Sequence, residues 1–477
     1  MRTIIKHITI VLGLVLILSS CQDFLIREPV LSQTSELTLS TVDGLNNATV
    51  GAYSLLYSLN WYGGYYVLSS EMRGGNGKPE PQNAGYQVDS YYWNYTESNT
   101  ENLWNTAYAT IARGNNVINA VENFDGTPDE MEELQHYKAE CLFLRALAHF
   151  DLVRLYAQPY SYDKTMLGVP VILVTEMGEP ARNTVEEVYN QVVADLLEAE
   201  QLFGTYARTD GNDVTAWATK DATRALLARV YQNMENWQAA ADYATKVIES
   251  NNYEMWTADQ YVPVSENPDG AWGREAEGSE VIFSVYSSTG NSSYPGQEGI
   301  PYMTNEDAHG DVTASNDLLN LFEDGDVRRN LFKTSDKETN AGFEWTLKYP
   351  SKSGDFTTNN TPVIRLSELY LIRTEAIYNG ASVSGVSDLD DFNMVHTNRG
   401  LSARTQALTL TDISTERRKE LCFEGQIFFD LSRRGESLVR TDFVGTTNQN
   451  VAFPGNEWAV PIPVGEVNAN PNMEQNP

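Results

Sequence analysis

Apolar residues recur at intervals of three and four in several long segments, the spacing that lines one face of an α-helix. In DEMEELQHYKAECLFLRALAHFDLVRLY the positions Leu134, Tyr137, Cys141, Leu144, Ala148, Leu152 and Leu155 follow it, predicting a helix about 26 residues long over 130–156. NTVEEVYNQVVADLLEAEQLF opens with Thr184 and Glu187 at capping-box spacing and continues through Val188, Val192 and Leu196. RLSELYLIRTEAIYN repeats the pattern through Leu366, Leu369, Arg373 and Ile377. Between these helices lie two stretches, 60–100 and 251–362, rich in Gly, Asn, Ser, Pro and aromatic residues. They contain one clear strand, EVIFSVY at 280–286, and otherwise read as long loops. Loops of that length are usually functional or disordered, and their aromatic content argues against disorder.

DATRALLARVYQNMENWQAAADYATKVIES predicts two helices meeting at 233–236, with Ala228 and Tyr231 before the turn and Ala240 and Ala244 after it. This resembles a tetratricopeptide repeat, in which small residues let paired helices approach and an aromatic ring fills the gap. One such pair cannot bury its own face, so the helices at 130–156, 184–203 and 361–379 are its expected neighbours. The fold expected is mostly α, with tetratricopeptide-like helix pairs as scaffold and a loop-rich half holding a few short strands. No Pro/Ser/Gly linker or charge block divides the chain, so residues 21–477 are expected to form a single domain.

The first 20 residues form a different kind of segment. Arg2 and Lys6 precede an apolar run, Ile8 to Leu18, that is too short to span a bilayer and has the shape of a secretory signal. The run stops at Leu18-Ser19-Ser20-Cys21, which resembles the lipobox of bacterial lipoproteins. Residues 1–20 are therefore expected to be removed, and Cys21 to carry lipid that anchors the protein to a membrane without spanning it. Cleavage would remove two basic and no acidic side chains, taking the formal charge from −32 to −34. A field of that sign repels phosphate backbones, which argues against nucleic acid and for a neutral ligand.

Residues typical of catalysis are sparse. After the signal only His136, His149, His309 and His396 remain, no two at metal-ligand spacing, and no His-Glu-x-x-His, Cys-x-x-Cys or Gly-x-Ser-x-Gly occurs. GGNGKPE lacks the spacing of a phosphate loop and puts Pro79 where Ser or Thr should bind magnesium. Asp388, Asp390 and Asp391 read as a solvated turn rather than a catalytic pair. Cys141 and Cys422 sit within apolar helical patterns and are expected to be buried free thiols. No cofactor, metal or enzymatic activity is expected.

Several blocks, in order along nearly the whole chain, resemble the SusD/RagB family of Bacteroidetes outer-membrane nutrient-binding lipoproteins. They are CQDFL at 21–25, LWNTAYATIARGNNVINAV at 103–121, AECLFLRALAHFDLVRLYAQPY at 139–160 with GVPVI at 168–172, RLSELYLIRTEA at 365–376, ERRKELCFEGQIFFDLSRRG at 416–435 and NPNMEQNP at 470–477. HTNRGLSA at 396–403 is an abbreviated form of one family motif, and it concerns packing rather than ligand. The resemblance implies a cell-surface lipoprotein of the outer membrane that binds glycans and delivers them to a SusC-like TonB-dependent transporter. Capture of peptides or another nutrient, and a lipoprotein glycoside hydrolase, are the alternatives. Arg145, Arg154, Glu368, Arg373, Glu375, Glu416, Arg417, Arg418, Glu420, Glu424 and Arg433 fall within the matching helices and are expected to be ion pairs locking them together.

Sugars present apolar faces ringed by hydroxyls, so a site for them needs flat aromatic rings with polar groups at the rim. The chain has 26 Tyr and 9 Trp, and those in loops matter most. Trp104, Tyr108, Tyr231 and Trp237 lie in helices and are expected to be core. Family members build their site from loops placed like those at 61–95 and 272–302. Carried over, this points to Arg73, Trp93, Asn94, Tyr294 and Tyr302, with Trp61, Tyr65, Tyr66 and Trp272 behind them.

Overall fold

The computed structural model describes residues 38–208, 214–262, 272, 280–291, 294–335, 337–352 and 355–477. The expected signal segment and Cys21 lie outside the described residues, as does most of WGREAEG. The architecture is mostly helical, with a few short strands, as the periodicity predicts.

The longest helix, Pro128–Tyr156, begins at a Thr127 capping box closed by Glu130, with Pro128 in its first turn. From His136 to Tyr156 every residue is buried, because neighbours cover this helix on several sides. Glu101–Glu122 and Val185–Leu202 flank it, and Val42–Tyr53 packs on both Glu101–Glu122 and Pro128–Tyr156. Thr184 and Glu187 form the capping box that their spacing predicts.

A second row of helices continues from Val185–Leu202 through Lys220–Asn233, Trp237–Ile248, Leu366–Tyr378 and Asp388–Asn398, each packed on the next. Glu235, at φ 55°, turns the chain between Lys220–Asn233 and Trp237–Ile248. Ala228, Ala240 and Ala244 are buried, and the Tyr231 ring stacks on Tyr243 at 5.6 Å. Of the four helical aromatics, Trp104 is buried, and Tyr108, Tyr231 and Trp237 are half-buried against the same core.

Charge pairs tie these helices together. Arg365, wholly buried, bonds Glu280, Glu420 (2.9 Å) and Glu424 (2.7 Å); Arg433 pairs with Glu375 (2.7 Å), Arg417 with Asp430 (2.7 Å) and Arg373 with Asp391 (2.6 Å). Removing one partner of such a pair strands a charge in a low-dielectric interior, so each pair fixes the relative placement of two elements. Asp388, Asp390 and Asp391 are no solvated turn. They open the Asp388–Asn398 helix, where Ser387 and Asp390 form a capping box. Cys141 and Cys422 are free and buried.

The irregular half is more ordered than its composition suggests. Among the described residues it contains three two-stranded antiparallel sheets: Gly77–Pro79 with Val312–Ala314, Val281–Val285 with Thr361–Arg365, and Phe332–Thr334 with Glu344–Thr346. Part of the first expected loop is also a helix, Tyr65–Arg73. All its residues except Tyr65 are buried, and at 9 residues between glycines it is too short for a repeating periodicity to mark it.

Candidate functional site

The Tyr65–Arg73 helix is held in place by glycines that nothing larger could replace. A Cβ on Gly63 would lie 2.3 Å from the Tyr57 carbonyl oxygen, and one on Gly74 would lie 2.3 Å from the Ile427 side chain. The close approach at Gly63 lets the chain double back, so that Tyr66 turns inward while Tyr65 stays half-exposed. The Tyr66 hydroxyl donates to Asp151 Oδ1 at 2.8 Å and receives a bond from Arg154 at 2.9 Å.

Beside this helix lies a cavity of about 390 Å³ lined by Asn60, Tyr65, Tyr66, Arg73, Tyr86, Gln87, Asp89, Tyr95, Asn99 and Thr100, among others. Three of its tyrosines, Tyr65, Tyr86 and Tyr95, are half-buried. The Tyr65 hydroxyl donates to Glu298 Oε2 at 3.1 Å. Burial first, and the Glu298 carboxylate second, hold the Tyr65 and Tyr86 phenols above their ordinary range. Both are therefore neutral hydrogen-bonding groups at neutral pH. Burial likewise pushes the Tyr95 phenol up to about 12, against the pull of Arg73. The Arg73 guanidinium lies over the Tyr95 ring, 4.1 Å from its centre, and 5.2 Å from the centre of Phe428. At the rim the Asn99 amide donates to Asp89 at 3.1 Å.

Tyr95 also lines a second cavity, of about 590 Å³, with Trp93, Glu97, Asn456, Glu457, Gln475 and Pro477. Trp93 takes φ 56°, and its buried ring meets Trp458 edge to face at 4.9 Å. Most of its surface serves packing, and only part of it faces the cavity.

Of the residues singled out in the sequence, Tyr65, Tyr66 and Arg73 come together at the first cavity and Trp93 at the second. Asn94 is exposed and lines neither; its backbone N–H donates to the Asp89 carbonyl at 2.9 Å. The Tyr302 ring meets His309 at 5.1 Å, and His309 meets Tyr86 at 5.6 Å, which puts Tyr302 one ring behind the cavity wall. Tyr294 is half-buried against the core beside Gly296, next to the turn that carries Glu298. Trp61 is wholly buried, its indole N–H donating to Asp151 at 2.8 Å. Trp272 is buried against Trp256 and Tyr261, with Lys348 4.6 Å and Arg365 5.0 Å from its ring centre. Neither Trp61 nor Trp272 lines either cavity, because each ring is buried in the core.

Sequence reasoning did not single out Tyr86, Tyr95, Asp89 or Asn99. All four fall in NAGYQVDSYYWNYTESN, where Gly85 at φ 107° marks a turn. Rings walling a cleft with amides, hydroxyls and a carboxylate at its rim suit a ligand with apolar faces and hydroxyl edges. Among the described residues, no group of three or more His, Cys, Asp or Glu is placed to hold a metal ion.

Comparison with known proteins adds to this geometry. A SusD-like family model, described as "Starch-binding associating with outer membrane", matches residues 23–232, and a second, described as the SusD family, matches residues 333–477. The crystal structure of a SusD superfamily protein from Bacteroides thetaiotaomicron superposes with a TM-score of 0.82 at 30% identity, covering 92% of this chain and 100% of that one. A SusD-like protein of Bacteroides ovatus is 24% identical over 475 residues, 87% of this chain and 80% of the relative. The starch-binding protein SusD of Bacteroides thetaiotaomicron is 22% identical over 465 residues, 82% of this chain and 80% of that protein.

Proposed function

We propose that this chain, which belongs to the SusD family, is a lipid-anchored cell-surface protein of the outer membrane that binds glycans and passes them, uncleaved, to a SusC-like TonB-dependent transporter. The observation that carries the binding reading is the ring of Tyr65, Tyr86 and Tyr95 around the 390 Å³ cavity. That volume falls within the range of ordinary ligand pockets, roughly 300–1,000 Å³. The neutral phenols offer flat faces, and Asn60, Gln87, Asp89 and Asn99 supply the edge bonds that a sugar's hydroxyls need.

The anchoring part of the reading rests on Cys21 and the segment before it. Among the described residues no helix is long and apolar enough to cross a membrane. Residues 21–477 would then act as a single body held at the membrane by lipid. The uncleaved part rests on how the recognisable carboxylates are used: Asp391 pairs with Arg373, Asp390 caps its helix, and Glu420 and Glu424 hold Arg365.

Affinity gels loaded with a panel of polysaccharides, run with the intact protein in detergent, test the reading. Retardation by at least one polysaccharide, with its oligosaccharides intact after prolonged incubation, is expected. Migration unaffected by every polysaccharide would overturn glycan binding, and hydrolysis would overturn the non-catalytic role. For the partner, a tagged copy purified from membranes should bring down a large outer-membrane protein. Its isolation alone would count against delivery to a transporter.

A further inference from the structure

We infer that the ligand of the tyrosine-walled cavity is an acidic glycan, and that Arg73 selects it by pairing with a sugar's carboxylate or sulfate group; this rests on the glycan-binding reading above.

Other buried arginines of this protein have acceptors within the fold. Arg145 pairs with Asp195 at 2.6 Å, Arg229 with Glu368 at 2.5 Å, and Arg399 with Glu280 at 2.8 Å and Glu420 at 2.9 Å. Where no carboxylate is near, backbone carbonyls take over, as those of Tyr91 (2.7 Å) and Gln449 (3.0 Å) do for Arg440. Arg73 follows neither rule. It is 5% exposed, and its Nε and Nη1 have no hydrogen-bond acceptor. Among the described residues no carboxylate lies within ion-pair distance of it. Its neighbours are instead the rings of Tyr95 and Phe428, which attract a cation, and the Tyr95 hydroxyl; none of them carries a counter-charge.

A guanidinium is charged at any physiological pH, and a buried charge without a partner is strongly unfavourable. Arg73 also lines the cavity, so the missing counter-charge can arrive with the ligand. Carboxylate and sulfate both match the forked donors of a guanidinium and form the stronger, charge-assisted kind of hydrogen bond. A neutral hydroxyl would satisfy a donor without neutralising the charge.

The formal charge of −32 opposes such a ligand at long range. That repulsion is screened over about 8 Å at physiological ionic strength, whereas a contact pair inside a cavity is screened far less. Asp89, the exposed carboxylate on the lining, is screened by solvent more than a contact pair at the buried Arg73 would be. The contact term at Arg73 therefore decides the preference.

The test compares oligosaccharides of polygalacturonate, alginate and chondroitin sulfate with their carboxyl-reduced or desulfated counterparts, by titration calorimetry on the intact protein in detergent. Maltooligosaccharides serve as a neutral glycan. At least one acidic oligosaccharide should bind about tenfold or more tightly than its neutralised form. Its affinity should fall with added salt while that of the neutral form does not. Arg73→Gln should abolish the preference, and Arg73→Lys should retain part of it; the salt dependence of the unmodified protein provides a readout if the variants fold poorly. The carboxyl-reduced and desulfated arms distinguish carboxylate from sulfate recognition. Equal or tighter binding of every neutralised form overturns the inference, as does a preference that survives Arg73→Gln. Binding of maltooligosaccharides alone overturns it and leaves the glycan reading standing, whereas no binding by any probe overturns both.

Discussion

The indole N–H of Trp61 donates to Asp151 Oδ2 at 2.8 Å, across 90 positions of sequence. The same buried carboxylate accepts from Tyr62 at 2.7 Å and Tyr66 at 2.8 Å, and pairs with Arg154 at 2.6 Å. One side chain of the Pro128–Tyr156 helix thus fastens the whole start of the loop that leads to the cavity. Asp151→Ala would strand three donors and a buried arginine, and should destabilise the protein by about 3–5 kcal/mol. Denaturant unfolding reads this directly, and an unchanged midpoint would show that the fastening contributes little.

Trp93 should behave as a packing residue as much as a ligand contact. Its ring fits against Trp458 (4.9 Å), Phe428 (5.7 Å) and Tyr95 (6.5 Å), so Trp93→Ala is expected to cost about 3–5 kcal/mol of stability. Tyr302→Ala, at a half-buried ring, should cost clearly less in the same melts. Equal melting temperatures for the two variants would contradict the packing described for Trp93.

Glu71, on the helix that carries Tyr65 and Arg73, gives a pH signature. Burial raises its carboxyl to about 7, against hydrogen bonds from Asn76 and from the Gly425 backbone, each 2.8 Å long. The folded value lies above the unfolded one of about 4.3, so the folded state binds this proton more tightly. The resulting stabilisation is complete below about pH 4.3 and is lost as pH rises through about 7. Relative to Glu71→Gln, the unmodified protein should therefore lose stability between about pH 4 and pH 8. A difference that does not change with pH in paired melts would exclude this titration.

Cys21→Ala should leave the body folded and release it from the membrane fraction, because lipid on that thiol is the expected anchor. Labelled palmitate entering both forms equally would contradict it.

What could be read from the sequence divides along physical lines. Thr184 with Glu187, and the small residues around Glu235, are local signals acting over a few positions, and they predict their helices and turn correctly. Charged positions in the long helices were legible as pairing groups, but Arg365 finds Glu280 and Glu420 across 85 and 55 positions, which no local pattern encodes. The Tyr65–Arg73 helix hid for a related reason: it is covered all round and flanked by glycines, so it read as loop. The family resemblance, carried onto the aromatic-rich loops, points to three residues that line the cavity, Tyr65, Tyr66 and Arg73. It could not separate Trp61, whose N–H is claimed by a distant carboxylate, from Tyr86, whose ring is left at the cavity wall.

Tyr86 is therefore where the account is tested most directly. Its ring lines the cavity half-exposed, meets His309 edge to face and packs only in part against the core. With an oligosaccharide of a polysaccharide that retards the intact protein, Tyr86→Ala should weaken binding by about 1–3 kcal/mol in titration calorimetry. Its melting temperature should stay close to that of the unmodified protein. Unchanged affinity in a normally folded Tyr86→Ala protein would contradict the claim that this cavity is the ligand site.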